Sequence, residues 1–132
     1  MFDEALDAYQ GGAAAADVLP SFEQICTHNP RHGAAWTCLC WLQLLSNQPL
    51  AALKSGRQAV RLGPEDPQAR LNLSLALLET NTTGVRDHIQ AVRKVLALSP
   101  QLADDLRTSI SDGMARRSDW QALAKVNHWL FG

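Results

Sequence analysis

Apolar residues recur along this chain at three- and four-residue steps, the spacing that gives a helix one buried stripe. Breakers interrupt the pattern at regular places, and together they predict eight helices. The first covers about 2–10 and stops at Gly11-Gly12, since tandem glycine is a poor helix former. A second runs about 13–27, and a third about 33–46, ending at Ser46-Asn47. The fourth opens around Gln48-Pro49, where proline is tolerated in the first turn, and ends at Gly63. Pro67 opens the fifth, which ends near Thr80. The sixth runs about 85–98 and the seventh about 101–115. Ser118 or Asp119 is the expected cap of the eighth, which reaches about Leu130.

The pattern also repeats on a longer scale. Pro30, Pro64 and Pro100 sit at similar junctions, 34 and 36 residues apart. RQAVRLGP at 57–64 resembles RKVLALSP at 93–100, and the loop NTTG at 81–84 accounts for the longer spacing. A period of about 34 residues, each unit a pair of helices, indicates a stacked repeat.

The residues at these positions resemble the tetratricopeptide repeat family. Trp36, Leu39, Cys40, Ala52, Ala59 and Pro64 carry the likeness in the second repeat, and Phe2, Tyr9, Phe22, Ile25 and Pro30 in the first. Leu73, Ser74, Leu77, Val92, Val95 and Pro100 carry it in the third. Leu106, Ile110, Ala122, Val126 and Trp129 fit a degenerate fourth. Gln43 stands where the family has Tyr, Gly56 where it has Phe, and Arg70 where it has an aromatic. The resemblance implies an all-α fold, a right-handed α-solenoid of antiparallel helix pairs. Its repeats would fall at about 1–32, 33–66, 67–102 and 103–132, in one domain. HEAT-like and other helical-pair repeats are the alternatives.

Composition agrees with helix: twenty Leu and nineteen Ala stand against nine Val plus Ile. Apolar residues at 46% and charged residues at 19% are wrong for a disordered chain. Twelve basic and thirteen acidic residues give a net charge of −1, which argues against nucleic acid as a partner. No apolar run approaches the roughly 18–20 residues that span a bilayer, so no direct membrane insertion is expected. The start MFDEALDAYQ lacks the basic opening of a signal peptide, so a cytoplasmic chain with free thiols is expected.

In the family, the first helix of each pair lines a concave groove. Carried over, that face presents Asp3, Glu4 and Asp7, then Thr37, Cys38, Trp41, Leu44, Gln68, Leu71, Asn72 and Leu75, then Asp104, Arg107, Thr108 and Ser111. An apolar centre with a polar rim suits a peptide segment or partner subunit. Burial of Trp41 and Leu75 by neighbouring helices is the other reading. The family's carboxylate clamp for chaperone tails is not matched. Asn72 fits, but the other places fall on Thr37, Trp41, Asp104 and Thr108, and an acid stands where a cation is needed.

Trp120, Trp129, Leu130 and Phe131 crowd the last helix. They form a docking end for a partner or a second copy, or fold back on the seventh helix and Met114, or mark a chain that continues beyond Gly132. Cys26, His28, His32, Cys38 and Cys40 are zinc-type side chains, but Cys-x-Cys on a helix turns the thiols about 200° apart. Buried thiols are expected, with no metal and no cofactor. Ser111-Asp112 and Ser118-Asp119 read as a turn and a cap, and no catalytic motif is present. Arg116-Arg117, with Arg86, Arg93 and Lys94, read as a solvated basic edge, the alternative being a site for an acidic partner or an anionic lipid head group. The expected function is a non-catalytic protein–protein interaction adaptor, an assembly factor or scaffold. The alternative is a homodimer formed through the apolar C-terminal helix.

Overall fold

A computed structural model describes all 132 residues. It holds eight helices and no strand: α1 (Phe2–Gln10), α2 (Ala15–His28), α3 (Gly33–Leu45), α4 (Pro49–Leu62), α5 (Pro67–Glu79), α6 (Val85–Leu98), α7 (Pro100–Arg116) and α8 (Gln121–Phe131). Helices adjacent in the chain pack on each other, and short loops make them antiparallel. No helix is long and apolar enough to cross a membrane.

Three turns share one hydrogen-bond pattern. The N–H groups of Ala13, Gln48 and Thr82 bond back to the carbonyls of Ala8, Gln43 and Leu77. The residue before each takes a left-handed conformation: Gly12 (φ 106°), Asn47 (φ 57°) and Asn81 (φ 53°). This is a Schellman closure, and Gly or Asn is what it tolerates. It ends α1, α3 and α5 and turns the chain into α2, α4 and α6.

A second repeated contact explains Arg70. Trp36 Nε1 donates to the Pro30 carbonyl at 2.9 Å, and Arg70 Nε donates to the Pro64 carbonyl at 2.6 Å. Both donors lie six residues after a junction proline, so Arg70 makes the bond that Trp36 makes 34 residues earlier. Its guanidinium also donates to His88 Nδ1 at 3.0 Å. Gly56 answers to contact as well. A Cβ there would lie 3.2 Å from both Cys40 Sγ and Leu73 Cα, so a bulky residue would separate α4 from α3 and α5.

The last pair breaks the pattern at the α6–α7 junction. Four residues separate α2 from α3 and α4 from α5, but Ser99 alone separates α6 from α7. Ser99 closes one helix and caps the next, its Oγ accepting from the Leu102 N–H at 3.2 Å. Pro100 is therefore the first residue of α7, like Pro67 in α5, and not a loop proline like Pro30 and Pro64. From this tight corner α7 crosses to α1, while α8 packs on α5 and α6. Trp120, with no side-chain cap bond, sits at the α8 N-cap in place of Ser118 or Asp119, and Asp119 is in the left-handed region (φ 56°).

Packing of α8 on α5 decides the core. Leu71 through Leu77 are all buried, with the two polar members, Asn72 and Ser74, satisfied by hydrogen bonds. Leu44, Leu71 and Leu75 join Trp41, Trp120, Leu123 and Val126 in one cluster, and a second joins α1, α2 and α3 around Phe22 and Leu39. Tyr9 packs against both.

Two stability outcomes follow. Gly113→Ala would place a Cβ 2.8 Å from Trp41 Cη2 and 2.8 Å from Leu123 Cδ2. Overpacking of about 1–3 kcal/mol outweighs a helix-propensity gain of roughly 1 kcal/mol, so a net loss is expected in urea unfolding. For His88, burial and then the Arg70 charge hold the pKa below its usual 6.5, and Asp87 opposes them. The unfolded chain therefore takes up this proton at higher pH than the folded one. Stability is present above pH 6.5 and falls as pH drops below it. His88→Gln should flatten that part of the decline in thermal unfolding between neutral and mildly acidic pH.

Candidate groove and its closure

A cavity of about 360 Å³ opens between α1, α3, α5 and α7. Leu6, Tyr9 and Gln10 line it from α1, and Phe22 adds a ring from α2. Thr37, Cys38, Trp41 and Leu42 come from α3, Gln68 and Asn72 from α5, and Thr108, Ser109 and Asp112 from α7. An apolar floor carrying a few placed polar groups is the usual character of a binding pocket.

The polar wall is tied internally. Asn72 is fully buried. Its Nδ2 donates to the Thr37 carbonyl at 3.0 Å, and its Oδ1 accepts from Gln68 Nε2 at 2.8 Å. The Thr37 hydroxyl donates to the Gly33 carbonyl at 3.1 Å. The Asn72–Thr37 bond ties α5 to α3, and the Gln68 bond within α5 fixes the Asn72 amide at the cavity.

One boundary of the cavity is a latch between α1 and α7. The Tyr9 hydroxyl donates to Asp112 Oδ2 and accepts from Trp41 Nε1 at 2.8 Å. Arg116 Nε bonds Asp112 Oδ1 at 3.0 Å, and its other nitrogens reach the carbonyls of Ala13 at 2.8 Å and Tyr9 at 2.7 Å. The same guanidinium lies 3.8 Å over the Tyr9 ring. A second clamp sits behind it. Arg117 bonds both Glu79 oxygens and the Leu44 carbonyl, each at 3.0 Å, and Trp120 Nε1 donates to Glu79 Oε2 at 2.7 Å.

Protonation follows from burial. The Tyr9 phenol is raised well above its usual range by burial first and the Asp112 bond second, against the pull of Trp41. Burial pushes the Cys38 thiol up to about 11, with Asp66 adding to it. Burial likewise lifts Cys26 to about 12, and Cys40, whose Sγ donates to the Ala52 carbonyl at 3.2 Å, rises further still. All of these stay protonated near neutrality, the reverse of what a nucleophile needs. No three His, Cys, Asp or Glu side chains converge as a metal site would require.

Several expected contact residues are elsewhere. Thr37, Gln68 and Asn72 line the cavity, and Trp41 offers only an edge at 7% exposure. Leu44, Leu71 and Leu75 have no exposed surface, because α8 lies on α5 rather than on α7 alone. Asp3 and Asp7 are exposed but outside the cavity. The inner face of α1 is Phe2, Ala5, Leu6 and Tyr9, set by the same four- and three-residue steps. Arg107 is exposed too, bonded to Asp104 at 3.2 Å and lying 4.3 Å over the Phe131 ring.

At the C-terminal end, Trp120 is buried, its ring 5.4 Å from that of Trp41, so it belongs to no docking surface. Leu130 and Phe131 pack partly on the main core, and Trp129 alone is exposed, at 41%. Arg116 and Arg117 are inward clamps, not a solvated edge.

Reasoning from sequence passed over Tyr9 and Asp112 as partners and over Leu6, Phe22, Leu42 and Ser109 as lining. The Thr108, Asp112, Arg116 spacing of four marks one helix side, but only the fold shows what faces it. Tyr9→Phe strands Trp41 Nε1 without its acceptor and Asp112 Oδ2 without its donor. A loss of about 1–3 kcal/mol is expected by urea denaturation, with near-ultraviolet dichroism reporting the freed Trp41 ring.

No protein-family model matches the chain and no curated protein matches it, so the groove's own geometry carries its functional reading.

Proposed function

We propose that this chain is a tetratricopeptide-type solenoid of three helix pairs, closed by a divergent fourth, that acts as a non-catalytic protein–protein interaction adaptor. It holds a peptide segment or partner subunit in its concave groove and serves as an assembly factor or scaffold. The observation that carries this reading is the cavity walled by the first helix of every pair, α1, α3, α5 and α7. The three matching Schellman turns and the paired bonds of Trp36 and Arg70 support the repeat. Asp112 is matched by Arg116 and Tyr9 is held neutral, so the lining offers amides, hydroxyls and rings rather than charge. Such a wall suits an uncharged segment with an apolar side chain at its centre. Its closure by the latch favours an occupant that enters from the open side and does not thread through.

A second reading, self-association through α8, rests on Trp129. An apolar contact there would be indifferent to salt and lost in Trp129→Ala.

Thr108→Arg tests the groove reading without touching the core, because Thr108 is exposed on its wall. Partner capture by the purified chain should fall at least about tenfold, roughly 1.4 kcal/mol, with the melting temperature unchanged. Equal capture of the same proteins by both forms would remove the groove from the function.

A further inference from the structure

Two charged surfaces have no part in the groove. Along the outer side of α4, Lys54, Arg57 and Arg61 follow at three- and four-residue steps, and that helix has no carboxylate. α6 adds Arg86, Arg93 and Lys94 against Asp87 alone. All six cations are exposed, and the chain's four ion pairs lie on other residues. Both helices pack on α5, so they flank one element. Like charges at these helical steps repel, and none of the six is held in an ion pair.

A block of opposite sign lies in the first two helices. Residues 1–30 hold five carboxylates and no Lys or Arg. Asp3, Glu4 and Asp7 lie exposed on α1, and Asp17 and Glu23 on α2. The net charge of −1 thus hides a strong separation of sign.

We propose that the cationic face of α4 and α6 docks the acidic α1–α2 end of a second copy of this chain, head to tail. Charge complementarity selects this occupant. A nucleic acid would be drawn by the six cations but repelled by the acidic end, and the chain has no basic excess overall. A second copy brings the missing carboxylates and leaves its own cationic face free. The two surfaces differ, so the contact is heterologous and propagates unless its rotation closes a ring. Each exposed pair is weak and screened, so association depends on several acting together at low ionic strength.

Sedimentation velocity of the full chain tests this over a wide concentration range, at about 0.01 M and about 0.3 M salt, where screening lengths differ several-fold. Mass rising above 14.4 kDa with concentration is expected at low salt and should vanish at high salt. Arg57→Gln with Arg61→Gln neutralises the centre of the cationic face, and Asp3→Asn with Asp7→Asn neutralises that of the acidic one. Each double variant alone should stay monomeric. Their equimolar mixture should form a dimer that does not grow, because each supplies one intact face. All four positions are exposed, and circular dichroism verifies that the variants fold. A monomer at every concentration in low salt overturns the proposal, as does a mixture that stays monomeric. Association that survives high salt and disappears in Trp129→Ala also overturns it, placing the contact on α8.

Discussion

The bond between Tyr9 and Asp112 joins residues 103 apart in sequence, and the shape of the molecule depends on it. A stack of helix pairs would ordinarily touch only neighbour to neighbour. Here the first and seventh helices meet, and the space between α1, α3, α5 and α7 becomes a bounded cavity. Closing so long a stretch of chain costs entropy. Arg116 helps offset that cost with three hydrogen bonds and a ring contact. The network is partly buried, so each member counts. A missing partner would leave a polar group away from water, which is worse than having no network at all.

The latch fixes what surrounds it. Trp41 is held by Tyr9 at its nitrogen and by Trp120 on its ring. Gly113 leaves α7 room to pass over that ring. Arg117, at the end of α7, and Trp120, at the start of α8, both bond Glu79 at the end of α5, and Arg117 also reaches Leu44 at the end of α3. A large apolar core and two polar clamps thus meet at one tryptophan. The cavity walls inherit that rigidity.

The same corner explains why the terminal pair departs from the others. With Ser99 alone between α6 and α7, the chain cannot make the four-residue junction that seats α3 and α5. Its new direction carries α7 over the groove and frees the flank of α5 and α6 for α8. Leucines placed to line a groove, Leu44, Leu71 and Leu75, become core instead. Trp120 moves from the outside to the inside for the same reason.

Local chemistry was legible in the sequence. Eight helices with ends close to those observed follow from apolar spacing, glycine, asparagine and proline, because these act within one turn of the backbone. The three like turns follow from Gly12, Asn47 and Asn81, which accept a left-handed conformation. Thr37, Gln68 and Asn72 line the cavity, and the one-turn step from Gln68 to Asn72 that puts both on one side of α5 is local and readable. The face of α1, the roles of Arg116 and Arg117, and the fate of the last two helices were not legible. Each depends on which distant element packs against a given side, and a helix stripe states only that something does. An arginine reads alike whether it meets water or a buried tyrosine and aspartate. Periodicity determined the elements and their pairing, while long-range packing decided which apolar stripes became core, which became groove and where the chain closed on itself.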